Sequence, residues 1–372
     1  MRAGYSIAAI ALLSLACSGT SGSTAALCTP APPDTAFRYT DADAPLPRRL
    51  FSSTMGTVAF SDNTPPDNRI TNAGAALGRV LFYDARLSAN NTLACASCHQ
   101  QRFGFGDTAR FSRGLHGALT RRHAMALANL RFNAYGRFFW DERAPSLEAQ
   151  VLDVIQDSVE MGMDLTALEA KLNRTSFYPP LFAAAFGSPR VTRDGIARAI
   201  AQFARSLISA HSRLDAVVAP GSSPDLARLS LAERQGYQLF TTVGCVNCHR
   251  TILQFSDRAD NTGLDAQPTD SGADSARFKP ASLRNVAVRP PYMHDGRFRT
   301  LRDVLRFYST GVQETPGLDP RLRDSTGHPR RLNLTDLQLD QLEAFLRALT
   351  DTAFLHDPRF ANPFPCRAAA AR

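Results

Sequence analysis

Two pentapeptides of the form Cys-x-x-Cys-His lie in the two halves of the 372-residue chain. This spacing lets two thiols add across the vinyl groups of a haem while the adjacent imidazole ligates the iron. A zinc site would need four ligands per metal, and a thioredoxin-like dithiol does not require the histidine. Because the whole pattern occurs twice, the sequence predicts two covalently bound haems c, attached through Cys95, Cys98, His99, Cys245, Cys248 and His249.

The second axial position of a haem iron decides whether the site transfers electrons or does chemistry. The segment 282–311 contains three side chains able to fill such a position, Met293, His294 and Tyr308. Spacing alone does not choose among them, so all three remain candidates.

The elements that must position these residues repeat along the chain. Gly-Arg-Val-Leu-Phe at 78–82 precedes the first pentapeptide, and Gly-Tyr-Gln-Leu-Phe at 236–240 precedes the second. Each half closes with a predicted amphipathic helix, the second of them behind a Thr335-Asp336 cap. Strand signals are sparse, so we expect a mainly α fold of two cytochrome-c-like domains with long loops and little strand. The apolar positions of the closing helices are Ile196, Ile200, Phe203, Leu207, Leu342, Phe345, Leu346 and Leu349.

Composition predicts the domain boundaries. A Pro/Gly/Ser run at 219–225 is typical of a linker. It separates an N-terminal cytochrome c domain, 68–218, from a C-terminal one, 226–352, which a tail follows at 353–372. Residues 18–67 are rich in Pro, Thr, Ser and Asp, and indicate a tether and irregular lead-in. We expect ordered structure from about Asn72.

Residues 1–17 have the features of an export signal, with an apolar run from Ile7 to Ala16 that is too short to span a bilayer. The small residues before Cys17 permit lipid attachment there, and cleavage a few residues later is the alternative. No later segment is apolar enough for a transmembrane helix. We therefore expect a periplasmic protein, either free or lipid-anchored.

Two further cysteines, Cys28 and Cys366, lie near the ends of the mature chain. An oxidising compartment would let them pair as a disulfide that joins the termini. The alternative is two unpaired thiols in the terminal segments.

The formal charge of +8 comes from 42 Lys+Arg against 34 Asp+Glu, and only Lys171 and Lys279 are lysines. The positive residues are scattered rather than clustered with aromatic ones, which argues against nucleic-acid binding. The charge suits an acidic electron-donor protein, but a generic solvated surface explains it equally well.

Further motifs surround the pentapeptides: Leu-Phe-Tyr-Asp-Ala-Arg-Leu-Ser at 81–88, Phe-Phe-Trp-Asp-Glu-Arg-Ala at 138–144, Val-Glu-Met at 159–161 and Pro-Tyr-Met-His-Asp-Gly at 291–296. In this order they make residues 70–352 resemble the bacterial dihaem cytochrome c peroxidase family, which includes the MauG-type enzymes. The resemblance implies an N-terminal haem where peroxide reacts and a C-terminal haem that stores or relays an electron.

The resemblance also implies roles for single residues. Trp140 matches a tryptophan between the two haems, and Gln150 and Glu160 match the polar pair on the distal side of the peroxidatic haem. Tyr308 falls where classical members place a methionine ligand of the C-terminal haem. A tyrosine there resembles the MauG-type branch, and an anionic oxygen ligand would lower the potential of that haem.

Some positions depart from the family pattern. Val154 replaces a proline of the distal pocket. The family holds a calcium ion between its domains with an asparagine that is His123 here, and histidine is a poor ligand for a hard cation. The backbone carbonyls of Arg289 and Pro291 would be the remaining protein contacts. His116 lies within one residue of a displaceable distal histidine of peroxidases, and a surface loop histidine is the alternative.

The sequence therefore predicts a peroxidase that reduces hydrogen peroxide to water with electrons from a small redox protein, such as a cytochrome c or a cupredoxin. Two alternatives stay open. One is a MauG-like oxidase that acts on a partner protein through a high-valent dihaem state, and the other is a non-enzymatic dihaem electron carrier. Homodimers are common in the family, but the sequence does not decide the oligomeric state.

Overall fold

The computed structural model describes residues 28–31, 36–52, 57–250, 252–253 and 258–364. The predicted export signal, Cys17 and Cys366 lie outside these ranges. Within them, no helix has the length and apolar character needed to cross a membrane.

The regular structure of the described residues is helical. Isolated β-bridges such as Gln100–Gly106 take the place of strands there, so the predicted mainly α fold is confirmed. The α-helices are α1 Asn72–Tyr83, α2 Cys95–Cys98, α3 Leu147–Gln156, α4 Leu165–Asn173, α5 Tyr178–Phe186, α6 Arg193–Ser206, α7 Leu231–Thr242, α8 Leu301–Arg306, α9 Asp336–Arg347 and α10 Thr352–His356. A π-helical turn spans Phe307–Gly311, and 3-10 turns span Arg48–Leu50, Ala85–Leu87, Gln101–Phe103, Leu115–Gly117, Leu130–Phe132, Asp215–Val217, Leu226–Arg228, Cys245–Asn247, Val286–Val288, Pro320–Leu322 and Pro358–Phe360.

Both halves are built on the same kind of helix pair, α1 with α6 and α7 with α9. A glycine lies at each crossing. A Cβ atom on Gly78 would come within 1.9 Å of the Ala199 carbonyl oxygen, and one on Gly236 within 1.9 Å of the Gln341 carbonyl oxygen. The repeated glycine in 78–82 and 236–240 is therefore explained by a close approach of two helix backbones.

Hydroxyl caps fix where these helices begin. The Thr71 side chain accepts a hydrogen bond from the Gly74 N–H at the start of α1. Thr335 accepts one from the Gln338 N–H at the start of α9, and the Gln338 side chain accepts in return from the Thr335 N–H. The predicted cap at Thr335 is thus confirmed, since this reciprocal pair satisfies two backbone donors that the helix itself cannot.

Each helix pair packs into a hydrophobic cluster. All the apolar positions predicted for the closing helices are buried: Ile196, Ile200, Phe203, Leu207, Leu342, Phe345, Leu346 and Leu349. The helical spacing is confirmed for six of them, whereas Leu207 and Leu349 lie just beyond the ends of α6 and α9. Their neighbours in the two halves include Leu77, Leu81, Leu168 and Phe182 in the first, and Phe240, Ile252 and Leu305 in the second.

Packed structure extends beyond the two helix pairs. Tyr39, ahead of Asn72, joins Phe354 and Phe360 in a buried cluster around Phe105 of the first half. The ring centroids of Phe105 and Phe354 lie 5.6 Å apart. The segment expected as a tail therefore contributes α10 and closes the first half, because burying its phenylalanines is favourable.

The two ends of the described chain lie side by side, since the Ala31 N–H donates to the Pro363 carbonyl at 2.8 Å. Cys28 is disulfide-bonded. Its predicted partner, Cys366, lies outside the described residues, so the pairing of these two cysteines stays a prediction.

Candidate haem sites and active site

The first pentapeptide folds as α2, and its histidine is held for metal ligation. The His99 Nδ1 lies 3.0 Å from the Phe105 carbonyl oxygen. Because a carbonyl only accepts, Nδ1 carries the proton and Nε2 keeps its lone pair. Burial lowers the pKa of His99, which favours this neutral ring. A neutral imidazole oriented through its other nitrogen fits a proximal haem ligand.

The second pentapeptide contains the same backbone hydrogen bond as the first. The His249 N–H donates to the Cys245 carbonyl at 3.0 Å, as the His99 N–H does to Cys95 at 2.9 Å. Gly244, with a φ of 90°, starts the 3-10 turn Cys245–Asn247. A left-handed residue there places the turn directly after α7, so the second anchor follows α7 as the first follows α1.

The four thiols of the pentapeptides are protonated at neutral pH. Burial raises the pKa of Cys95 and Cys245 to about 12, and that of Cys98 and Cys248 to about 11. Among the described residues, no three Cys, His, Asp or Glu side chains converge as they would around a metal ion.

Tyr308 lies on the π-helical turn Phe307–Gly311, a distortion often found at functional sites. Burial first, and then the sulfurs of Cys248 and Cys245, raise its pKa above the ordinary range. The phenol is thus within electrostatic reach of the second pentapeptide. Met293 packs in the same apolar cluster as Tyr308, so both of these candidate ligands lie in the second half.

The third candidate ligand, His294, lies instead at the junction of the two halves, beside Trp140. Its ring stacks on Phe278 at 3.5 Å and meets the Trp140 ring edge-on at 6.4 Å. Trp140 is fixed at both ends, because its Nε1–H donates to the His123 carbonyl at 2.6 Å and its carbonyl accepts from the Lys279 N–H at 2.8 Å. The tryptophan thereby ties a loop of the first half to the second.

Lys279 holds the same loop with its side chain. Its ammonium group is buried, donates to the Arg137 carbonyl, and lies 4.8 Å from the Phe138 ring centroid. Burial lowers the pKa of Lys279 to about 7, although the carboxylate of Glu142 opposes that shift. Sequence reasoning missed this contact. The only feature of the sequence that sets Lys279 apart is that it is one of two lysines in an arginine-rich chain.

Arg122 is a second bridge across the junction. Its guanidinium pairs with Asp141 of the first half at 2.6 Å and with Asp270 of the second at 2.7 Å. It also covers the Phe278 ring, 5.4 Å from the centroid. An arginine shared by two carboxylates and a ring fixes the relative position of the loops that carry them.

Glu160 is the titratable group near the first pentapeptide. Burial first, and then the charge of Asp157, raise its pKa to about 7, against the opposing effect of Arg143. Its charge in turn raises the pKa of Cys95 and Cys98, which places the carboxyl close to them. A carboxyl with this pKa both accepts and donates protons at neutral pH.

Gln150 and Val154 lie on α3, four residues apart and hence on one face. Gln150 is half-buried. Within the described part of the chain its side-chain amide makes no hydrogen bond, so both its donor and its acceptor are available to a bound molecule.

His116 lies in a loop that packs on the backbone before Glu160. The Leu115 N–H donates to the Val159 carbonyl at 2.7 Å, and a Cβ on Gly114 would come 1.8 Å from that oxygen. His116 itself is exposed, with a φ of 57°. Ligation of iron by His116 would therefore require this loop to move.

The residues expected around calcium do not make a good site for that ion. The His123 Nδ1 lies 3.0 Å from the Ala109 carbonyl oxygen and donates to it, so this nitrogen has no lone pair to offer. Burial first, and then the positive charge of the buried Arg289, lower the pKa of His123, which places the guanidinium near that ring. Calcium prefers several oxygen ligands, commonly carboxylates, and a buried cation beside the site repels it.

Comparison with known proteins shows which family the chain resembles. The sequence profile of a family described as di-haem cytochrome c peroxidase matches residues 72–222. A cytochrome-c peroxidase of Denitromonas iodatirespirans is 30% identical over 338 residues, which cover 79% of this chain and 86% of that protein. The methylamine utilization protein MauG of Methylorubrum extorquens is 31% identical over 297 residues, covering 77% of this chain and 80% of that protein.

Solved structures give the same likeness. A MauG-like protein associated with microbial copper homeostasis superposes with a TM-score of 0.70 and 32% identity, over 81% of this chain and 96% of that one. The diheme peroxidase BthA from Burkholderia thailandensis superposes with a TM-score of 0.65 and 25% identity, over 79% of this chain and 90% of that one.

Proposed function

Because this chain belongs to the di-haem cytochrome c peroxidase family, we propose that it reduces hydrogen peroxide to water with electrons from a small redox protein. The family implies two haems c, which the two pentapeptides fit, and an oxidoreductase activity. Relatives named as cytochrome-c peroxidases disfavour a non-enzymatic carrier. The disulfide at Cys28 supports an oxidising compartment, and we place the activity in the periplasm.

The observation that carries this proposal is the Glu160 carboxyl beside the first pentapeptide, with a pKa of about 7. Each peroxide consumes two electrons and two protons and yields two waters. When bound, the two haem irons supply the electrons, and the first also offers a position for peroxide. Glu160 takes a proton from one peroxide oxygen and returns it to the other, which a group with a pKa near the working pH does well.

The other site residues position the reactants. Gln150 orients peroxide through its free amide. Trp140 connects the two halves through its contacts with His123 and Lys279, and we assign it the passage of electrons between them. Tyr308 and His249 would both hold the second iron, and the high pKa of Tyr308 means that only a metal would keep its phenol deprotonated at neutral pH. Calcium is not included, because His123 and Arg289 do not suit it.

A second function is favoured by Tyr308 and by the 31% identity to a MauG protein. In that case the chain would withdraw electrons from residues of a partner protein instead of taking them from a donor. Steady-state consumption of peroxide with a reduced small cytochrome or cupredoxin supports the first function. Peroxide-dependent oxidation of a co-purified partner protein, without such turnover, supports the second.

The test of the proposed role is Glu160→Gln. This change keeps the size of the side chain but removes its titration, so we expect peroxide turnover to fall by roughly 100-fold or more, with the absorbance spectra of both haems unchanged. Asp153→Asn is the matched control, because Asp153 is an exposed carboxylate on α3. Wild-type turnover in Glu160→Gln would remove Glu160 from the mechanism.

A further inference from the structure

Arg289 is a buried cation without a carboxylate partner. Its side chain is 9% exposed, one terminal nitrogen donates to the Ser282 carbonyl, and Nε has no hydrogen-bond partner among the described residues. Two other buried guanidiniums are neutralised, since Arg205 pairs with Glu148 at 2.6 Å and Arg284 with Asp215 at 2.6 Å. None of the ion pairs within the described ranges involves Arg289.

A buried guanidinium without an anion is unfavourable, because burial removes its hydration without replacing it by an opposite charge. The side chain still carries its charge at neutral pH. It also keeps an unused donor at Nε, so the site is suited to a carboxylate that the polypeptide does not supply.

The position of Arg289 indicates where that carboxylate comes from. On one side, its Cβ lies 3.8 Å from the place of a Cβ on Gly106, next to the Phe105 carbonyl that orients His99. On the other side, its guanidinium donates to Ser282, whose hydroxyl donates to the Leu253 carbonyl at 2.6 Å, shortly after the second pentapeptide. Arg289 thus lies between the segments that anchor the two haems.

We propose that the guanidinium of Arg289 binds a propionate carboxylate of a haem, and that this pair takes the place of a calcium ion between the two halves. A haem carries two propionates, so the ligand arrives with the cofactor. The same guanidinium lies near His123, where calcium would otherwise bind. The junction of the two halves then needs no metal ion, because the guanidinium of Arg289 already provides a fixed positive charge there.

The first test measures the reduction potentials of both haems in Arg289→Gln and Arg289→Lys. A positive charge at a propionate favours the reduced iron, so Arg289→Gln should lower the potential of one haem more than that of the other. Arg289→Lys keeps the charge and should retain most of the wild-type value. Arg190→Gln is the matched control, because Arg190 is exposed and lies outside the junction.

The second test measures calcium. We expect purified wild-type protein to contain well under one calcium per chain, and a calcium chelator to leave its haem spectra and thermal unfolding unchanged. The double variant His123→Asn, Arg289→Thr removes the cation and supplies an amide oxygen. We expect it to bind added calcium, with a rise in thermal stability that the wild type does not show.

Either of two results overturns the proposal: unchanged potentials of both haems in Arg289→Gln, or one tightly held calcium per wild-type chain. Loss of haem from Arg289→Gln but not from Arg289→Lys supports it, since only the charge distinguishes the two variants. None of these measurements uses peroxide turnover. These measurements therefore test the role of Arg289 even if the chain proves to be inactive with peroxide.

Discussion

The two halves of the chain share a helix crossing and a haem anchor, yet they surround the anchor with different chemistry. Near the first pentapeptide lies Glu160, a carboxyl that titrates near neutral pH. Near the second lies Tyr308, whose phenol packs among apolar residues and does not titrate in that range. The repeated elements fix where a haem is attached, whereas residues outside the repeat make the surroundings of the two anchors different.

The same difference shows in how each group is placed. Glu160 follows α3 on a loop held by Asp157, whose carboxylate accepts the Val159 and Glu160 N–H groups at 2.8 and 3.1 Å. Tyr308 lies on a π-helical turn that continues directly from α8. In the proposed roles, a loop would allow Glu160 to move as it carries a proton, and a helix end would hold Tyr308 in place as a ligand.

The largest expected effect is that of Tyr308→Phe, which should alter only the second haem. Removing an anionic oxygen ligand destabilises the ferric state, so the potential of that haem should rise by on the order of 0.2 V. Potentiometric titration followed by absorbance separates the two haems. The potential of the first haem should stay at its wild-type value.

Tyr237→Phe is the control for Tyr308→Phe, since Tyr237 is a partly buried tyrosine of the second half that packs on Phe345. If Tyr308→Phe leaves both potentials unchanged, the phenol is not a ligand. Met293, in the same cluster, would then be the next candidate.

The helix crossings should respond alike in the two halves. Gly78→Ala and Gly236→Ala each force a methyl group against a carbonyl oxygen 1.9 Å away. We expect each to lower the free energy of unfolding by about 3 kcal/mol or more, as overpacking against backbone does. Denaturant unfolding followed by circular dichroism measures this loss.

Ala76→Ser and Gln238→Ala, at exposed positions of α1 and α7, should change that free energy by less than about 0.5 kcal/mol. A large loss in one half only would mean that the two crossings are not equivalent, and the structural repeat would be less exact than the backbone contacts indicate.

The repeat could be predicted from sequence because it depends on local spacing. The pentapeptides, the glycine ahead of each, and apolar residues such as Ile196 and Phe345 all signal their positions within one or two helical turns. Tyr39, Phe354 and Phe360 could not be placed in this way. Their common cluster forms from segments far apart in sequence, and such packing leaves no periodic signal.

The candidate site was predictable only in part, for a related reason. Sequence named Trp140 and Glu160 by resemblance, but the raised pKa of Glu160 depends on burial. The buried charges of Lys279 and Arg289 likewise follow from tertiary contacts. A charged side chain is expected at the surface, so nothing in the local sequence marks these two as buried.

The stability of the first half should depend on pH through Glu160. Its pKa is about 7 in the folded chain against an ordinary value of 4.5, so the folded state holds this proton more tightly than the unfolded state. The stability that comes from this tighter proton binding is fully present below pH 4.5 and is lost as pH rises from 4.5 through 7. Relative to wild type, Glu160→Gln should therefore gain roughly 1–2 kcal/mol at pH 8 and nothing at pH 4.

Thermal unfolding of wild type and Glu160→Gln across this pH range measures the difference. Asp153→Asn again serves as the control, and its difference from wild type should not follow the same curve. A constant offset between Glu160→Gln and wild type at every pH would mean that the Glu160 pKa is not raised in the folded chain.

The smallest expected effect concerns the junction, and the two lysines of the chain allow a matched comparison. Lys279 donates to the Arg137 carbonyl beside Trp140, whereas Lys171 donates to the Arg86 carbonyl at 2.7 Å within the first half. Replacing either by Gln should cost about 1 kcal/mol of unfolding free energy. Only Lys279→Gln should also raise the fluorescence of Trp140, the single tryptophan, because loosening its loop lets the indole move away from haems that quench it. Equal fluorescence in the two variants would show that the hydrogen bond of Trp140 to His123 and the ion pairs of Arg122 suffice to hold the halves together.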